Sequence, residues 1–180
     1  VGYVGSATDL TIPEGITQIY KYAFYQNTKI TSVVLPSTLT SIGNYAFYSC
    51  TALAGEVVIP NAVTTIGSYA FYGCSGITQV TLGTALTTIN NYAFQNCYKL
   101  VEIYNLSSLS LTKGNSSQGY VAYYAKNIYT TLETDSKIST DENGYVIYND
   151  GTNVILVGYN GTETNLVLPE GITQIYQYAL

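Results

Sequence analysis

Three sets of side chains in this chain have types and spacings that could carry chemistry. Cys50, Cys74 and Cys97 recur at steps of 24 and 23 residues, which raises a disulfide or a thiolate metal site. Glu133 with Asp135, and Asp141 with Glu142, supply the carboxylates that a hydrolase needs as an opposed pair with separated pKa values. Tyrosine is the third set. Tyr22, Tyr45, Tyr69 and Tyr92 form one in-phase row, and Tyr25, Tyr48 and Tyr72 form a second that Gln95 interrupts. Rows of phenols give large, rigid contact area with a polar tip, the chemistry of protein-binding or sugar-stacking surfaces.

What each set can do depends on the elements that hold it. The segment Tyr45-Ala46-Phe47-Tyr48-Ser49-Cys50 returns as Tyr22-Ala23-Phe24-Tyr25, Tyr69-Ala70-Phe71-Tyr72-Gly73-Cys74 and Tyr92-Ala93-Phe94-Gln95-Asn96-Cys97, with a last Tyr178-Ala179-Leu180. Ahead of each regular copy runs a short apolar alternation: Leu10-Thr11-Ile12-Pro13, Val33-Val34-Leu35-Pro36, Val57-Val58-Ile59-Pro60 and Val80-Thr81-Leu82-Gly83. Alternation that stops at Pro predicts a short strand. Each unit has too few apolar residues to enclose a core, so the units must stack as coils of a solenoid. Val33 and Leu35 with their equivalents are expected inward from the strand, Ala46 and Phe47 inward from a single helical or 3₁₀ turn, and Leu39 and Ile42 on a third side. The longer step from Tyr45 to Tyr69 places a bulge at Ala54-Gly55-Glu56.

Stacking decides the cysteines. Equivalent atoms on adjacent coils lie about 4.8 Å apart with parallel Cα–Cβ vectors, whereas a disulfide needs Cβ atoms at about 3.5 to 4.5 Å turned toward each other. Three thiolates in a straight row cannot converge on one zinc. Free thiols acting as small buried hydrophobes are the expectation, with Asn27 taking the same rung in the first coil and turned to the backbone of the next. Nothing brings the carboxylates face to face. With no His or Arg and no nucleophile in a recognisable frame, no enzyme and no cofactor are expected. Asp141-Glu142-Asn143-Gly144 lacks the alternating ligands of a calcium loop. The phenols, flanking inward Ala and Phe, are expected on the outer side. The outward strand positions Thr11, Val34, Val58, Thr81 and Tyr104 form a second, nearly uncharged face, and solenoid faces of this kind bind partners.

The pattern Leu-x-x-Val-x-Leu-Pro followed by Leu-Thr-x-Ile-Gly-x-x-Ala-Phe-x-x-Cys closely resembles the BspA-like subclass of leucine-rich repeats over about residues 8–106 and 164–180. The resemblance implies an α/β-type leucine-rich-repeat solenoid, a right-handed, horseshoe-like superhelix of short parallel strands and short helical or 3₁₀ turns. It also implies a bacterial extracellular or cell-surface module that adheres to a host or cell-surface protein. A carbohydrate-binding module of a larger secreted enzyme, with a glycan as ligand, and a plain spacer are the alternatives. Departures are local: Asn27 for Cys, Gly83 for Pro and Leu180 for Phe.

From about 104 to 157 the repeat loses phase. Tyr120-Val121-Ala122-Tyr123-Tyr124-Ala125, Ala-spaced like a helical turn, and Ile128-Tyr129 read as one degenerate coil. Tyr145-Val146-Ile147-Tyr148 and Val154-Ile155-Leu156-Val157 flank Asn149-Asp150-Gly151 as a hairpin, expected to protrude from the coil edge as an insertion in one domain spanning 1–180. Residues 157–176 then repeat residues 1–20 at a constant offset of 156, so the chain reads as one and a fraction units of a longer tandem array; the lack of Met likewise reads as a piece or a mature form.

Composition bounds the partners. Of 180 residues 47% are hydrophobic, 9% charged and 20 are Tyr, with net charge −5 and pI near 4.4. An acidic chain whose only bases are six lysines lacks the footprint of a nucleic-acid binder. No apolar run reaches the roughly 20 residues of a membrane span. Sequons at Asn105, Asn115 and Asn160 are taken as chance.

Overall fold

The computed structural model describes residues 5–132, 136–177 and 179–180. It divides into two compact units, 1–132 and 133–180. The first is a parallel β-solenoid. One side of its coils carries strands β1 (Asp9–Thr11), β3 (Ser32–Val34), β5 (Ala54–Ile59), β7 (Gly76–Leu82), β9 (Glu102–Asn105) and β10 (Asn127–Tyr129); another carries the two-residue strands β2 (Gln18–Ile19), β4 (Ser41–Ile42), β6 (Thr65–Ile66) and β8 (Thr88–Ile89). All pairings are parallel and run coil to coil: β1 with β3, then β5-β7-β9-β10, and β2-β4-β6-β8. The register shifts between Gly55 and Glu56, where the one-residue longer step required a bulge, and Gly55 takes φ 74°.

The third side of each coil is the marker, and here the structure corrects the sequence expectation. No described residue is α-helical, and the single 3₁₀ turn is Gln118–Tyr120. Each marker is a ribbon of successive β-turns. Ala23 N donates to Tyr20 O, Tyr25 N to Tyr22 O and Asn27 N to Phe24 O within the coil, while the intervening Tyr22, Phe24 and Gln26 N–H groups donate to the Asn44, Ala46 and Tyr48 carbonyls of the next coil. The same alternation runs through the coils of Tyr45 and Tyr69. A helix would spend every N–H within its own coil; the ribbon spends every second one on its neighbour, so all three sides are hydrogen-bonded ladders. Phe24, Phe47, Phe71 and Phe94 stack behind it with centroids 4.8, 5.1 and 5.1 Å apart. That spacing is close to the roughly 4.8 Å of the strand side. The wide helical side that wedges a horseshoe open is therefore missing from these coils, and the class is an all-β solenoid with leucine-rich-repeat periodicity.

The core is one stack of identical rungs. Ile30, Leu53, Ile77 and Leu100 are fully buried, as are Ala46, Phe47, Leu39 and their equivalents in the next two coils. Burying one such Phe is worth about 1.5 to 3 kcal/mol before packing terms are added. The Gly after the Ile that ends β4 and β6 is steric: a Cβ on Gly67 would sit 2.5 Å from Asn44 N, and one on Gly43 2.7 Å from Lys21 N. Gly83 replaces Pro for the same reason, since a Cβ there would strike the Pro60 carbonyl. The degenerate coil continues the stack, with Val121, Ala122 and Ala125 buried in the marker phase.

The second unit is a small sheet in the order β11-β12-β13-β14, made of Ile138–Thr140, Tyr145–Asn149, Val154–Tyr159 and Gln174–Ile175. The first three are antiparallel, and β13 pairs parallel with β14. Tyr145, Val146 and Tyr148 on β12 are buried. The segment expected as a protruding hairpin is thus the middle of a meander, and its side chains are core rather than ornament.

Candidate functional site

The marker turns place their leading tyrosine in the left-handed region: φ is 62° at Tyr22, 57° at Tyr45, 58° at Tyr69, 62° at Tyr92 and 68° at Tyr120. A bulky residue there costs roughly 1 to 2 kcal/mol. The position projects the phenol outward, and stacking recovers part of the cost. Tyr22, Tyr45, Tyr69, Tyr92 and Tyr120 form one column with ring centroids 5.1, 4.9, 5.0 and 5.8 Å apart. Tyr25, Tyr48 and Tyr72 form a second, at 5.0 and 4.9 Å. The columns meet edge to face at Tyr22 and Tyr25, 5.4 Å apart, and at a tilt at Tyr45–Tyr48 and Tyr69–Tyr72, each 5.6 Å apart. Tyr22, Tyr25 and Tyr92 are exposed, and Tyr45, Tyr48, Tyr69 and Tyr72 are half-buried.

This geometry determines what the rows offer. Ring faces inside the columns are covered by their neighbours, so the free surface consists of ring edges and hydroxyls repeating about every 5 Å. Desolvation, followed by the neighbouring phenols of Tyr45 and Tyr92, raises the Tyr69 pKa above its ordinary value. At neutral pH it is an O–H donor. Asn96 Nδ2 donates to Tyr72 Oη at 2.9 Å, continuing the second column with an amide where Gln95 breaks it.

The strand-side candidates divide. Thr11, Val34 and Val58 are exposed, the last two at 59% and 49%. Thr81 is buried and donates its hydroxyl to Glu56 Oε1 at 3.1 Å. Tyr104 is 3% exposed and stacked on Tyr129 at 4.9 Å. These two positions offer a partner no surface, so the uncharged face narrows to the first three coils.

The cysteines are free and buried, and each thiol has a defined acceptor. Cys50, Cys74 and Cys97 Sγ donate to the Phe24, Phe47 and Phe71 carbonyls of the preceding coil at 3.1, 3.0 and 3.1 Å. Burial raises the Cys74 and Cys97 pKa values well above an ordinary thiol, which keeps the donor proton in place. Asn27 corrects expectation: its Oδ1 accepts from the Lys29 and Ile30 N–H groups of its own coil at 2.9 and 3.1 Å rather than reaching the next. Of the carboxylates, Glu133 and Asp135 lie outside the described residues, and Asp141 Oδ1 accepts from the Asn143 and Tyr145 N–H groups to close a turn. Among the described residues no group of three or more His, Cys, Asp or Glu could hold a metal ion. No helix among them is long and apolar enough to cross a membrane. The Asn105 amide is committed to Leu109 O and Ser107.

Six consecutive copies of the BspA-type leucine-rich repeat model match residues 3–119. The chain belongs to the BspA-type leucine-rich repeat family. Solved structures with similar folds are bacterial leucine-rich repeat proteins. One from Bacteroides ovatus is 31% identical over 50% of this chain and 23% of its own, with a TM-score of 0.48. The pneumococcal vaccine antigen PcpA is 18% identical over 68% of this chain and 35% of its own, with a TM-score of 0.50. A leucine-rich cell surface protein of Faecalibacterium prausnitzii is 19% identical over 96% and 60%, with a TM-score of 0.46. This BspA-type chain thus spans about a quarter of the Bacteroides ovatus protein's length and about a third of PcpA's. No curated protein matches the sequence.

Two signals in the sequence pointed to what its reading missed. Gln26, Ser49, Gly73 and Asn96 share one phase, and all take positive φ; Gly and Asn at one position are the signature of a left-handed residue. Glu14 and Ser37 are 23 residues apart, and the Glu14 carboxylate accepts from Ser37 N and Oγ at 2.9 and 3.0 Å, a tie between coils that a one-period separation between hydrogen-bonding partners would have suggested.

Proposed function

We propose that this chain is a non-catalytic binding module of an extracellular or cell-surface bacterial protein, and that it adheres to a host or cell-surface protein through the tyrosine columns. The observation that carries this reading is the stacked double column itself, which presents ring edges and O–H donors at strand pitch on a stiff, hydrogen-bonded side of the solenoid. Such a surface suits a protein partner, because an extended polypeptide edge has acceptors at matching intervals and the rigid phenols lose little entropy on contact. It suits sugar stacking less well. A sugar needs an open ring face, and within the columns those faces are covered by neighbouring rings. The surface location is supported by the family and by a cell surface protein and a vaccine antigen among its structural relatives.

The test is binding of the chain to panels of host matrix proteins and of glycans, read by surface plasmon resonance. The expected result is a protein hit and silence from the glycans. Glycan binding alone would favour a carbohydrate module, and silence on both panels would favour a spacer.

A further inference from the structure

Three dipeptides in this chain join Asn or Asp to a following glycine: Asn143-Gly144, Asp150-Gly151 and Asn160-Gly161. Such pairs are open to attack by the glycine's backbone nitrogen on the preceding side-chain carbonyl, because no Cβ restricts the approach. Both asparagines are exposed, so access to solvent does not separate them. Hydrogen bonding does. In the turn between β11 and β12, Gly144 N donates to Asp141 O at 3.1 Å and Asn143 N to Asp141 Oδ1 at 3.0 Å. Gly151 N donates to Asn149 Oδ1 at 2.9 Å, and the Asp150 carboxylate accepts from the Thr152 and Asn153 N–H groups. Gly161 N meets no acceptor, and the Asn160 side chain no partner, among the described residues. A further coil would not change this. Gly161 corresponds to Gly5 at the offset of 156. There the following coil is present, yet Gly5 is exposed, and among the described residues that coil's bonds to the segment begin at Thr8.

We propose that Asn160 is a site of spontaneous covalent modification, at which the chain cleaves its own side-chain amide and thereby releases the end of β13. The Gly161 nitrogen bonds to Asn160 Cγ, the Cγ–Nδ2 bond breaks, and Nδ2 leaves as ammonia with the proton that Gly161 N gives up. A five-membered succinimide results. Water then adds to one ring carbonyl and opens it. Opening at the side-chain carbonyl leaves an aspartyl residue, and opening at the backbone carbonyl leaves an isoaspartyl residue whose main chain is longer by one methylene. The position in the fold makes that extra atom consequential. Asn160 N donates to Gly144 O at 2.8 Å, and the two glycines meet backbone to backbone. A Cβ on Gly144 would lie 2.6 Å from Gly161 N, and one on Gly161 2.6 Å from Asn143 O. A contact too close for a methyl group has no room for an inserted methylene either. The isoaspartyl product therefore detaches the end of β13 from the β11–β12 turn.

The experiment ages the intact chain in mildly alkaline buffer made with heavy-oxygen water and maps its peptides by mass spectrometry. Conversion at Asn160 is expected to run about tenfold faster than at Asn143, the factor set by the one backbone hydrogen bond that must open before Gly144 N can attack. The same chain unfolded in urea is expected to convert the two at similar rates. Equal or faster conversion at Asn143 in the folded chain, or an undiminished preference for Asn160 after unfolding, overturns the assignment. Hydrogen exchange on the aged chain reads the structural step. The amide at position 160 and the 141–145 turn are expected to lose protection as the isoaspartyl fraction grows, and to keep it in Asn160→Gln aged alongside. Protection that stays constant in the converted chain, or is lost equally in N160Q, overturns the release.

Discussion

Tyr69 shows how a single side chain is fixed by opposing terms of similar size. Its left-handed backbone costs roughly 1 to 2 kcal/mol relative to a relaxed residue, and stacking on Tyr45 and Tyr92 returns about 0.5 to 1.5 kcal/mol per pair. Tyr69→Ala keeps the strain and loses the stacks, while Tyr69→Gly loses both. The usual order of these substitutions is therefore reversed: urea denaturation should find the Ala variant less stable than the Gly variant by about 1 kcal/mol. Equal stabilities, or a weaker Gly variant, would contradict the strain argument. Tyr69 also titrates in a defined direction. With its pKa raised in the fold, Tyr69 holds its proton where the unfolded chain has lost it. Its contribution is whole below the ordinary phenol value of about 10 and declines as pH rises through the elevated one. Melting temperature should fall across that alkaline range more steeply than in Tyr69→Phe.

Within a coil, what was legible followed hydrophobic spacing. The inward places of Val33, Leu35, Leu39, Ile42, Ala46 and Phe47 and the bulge at Gly55 could be read because burial imposes a period that residue types report. The ribbon of turns could not, because Tyr-Ala-Phe-Tyr fits a helical turn by composition and only the hydrogen bonds between coils decide against it. Tyr104 and Thr81 were misplaced on an open face because outward alternation says which way a residue points and nothing about what covers it. Phe71 lies between Phe47 and Phe94 with no exposure, so Phe71→Ala should cost about 3 to 5 kcal/mol in chemical denaturation; a loss under 1 kcal/mol would mean that the coils relax around it. In the meander, Asp150 binds the Thr152 and Asn153 N–H groups at 2.9 and 2.7 Å. These bonds, chiefly the backbone bond to Asn153, hold its pKa down to about 2. The turn's contribution is present above the ordinary carboxylate value and is lost as pH falls through about 2. The protection factor of the Asn153 amide, its exchange corrected for the intrinsic pH dependence, should fall over that acid range, and in Asp150→Asn that acid step should disappear.

At the scale of the whole molecule, one unit is a repeat whose side-chain chemistry lies in periodicity and the other is a small sheet. Three in-phase thiols are consumed as donors between coils, and Asp141 closes a turn. The tyrosine columns carry the proposed function, and the family's residue pattern was sufficient to name the fold but not the ligand, since a stacking solenoid needs its core rungs whatever it binds. The claim on which the functional account rests is that the phenol edges and hydroxyls make the contact. The most direct measurement compares the chain with Y45F/Y48F/Y69F/Y72F for binding to whichever matrix protein the panel identifies. Each Phe keeps a ring to stack and lacks only the hydroxyl, so the thermal melt should be nearly unchanged while affinity falls at least tenfold, about 1.4 kcal/mol. A variant that melts like the parent and binds equally well would contradict the account.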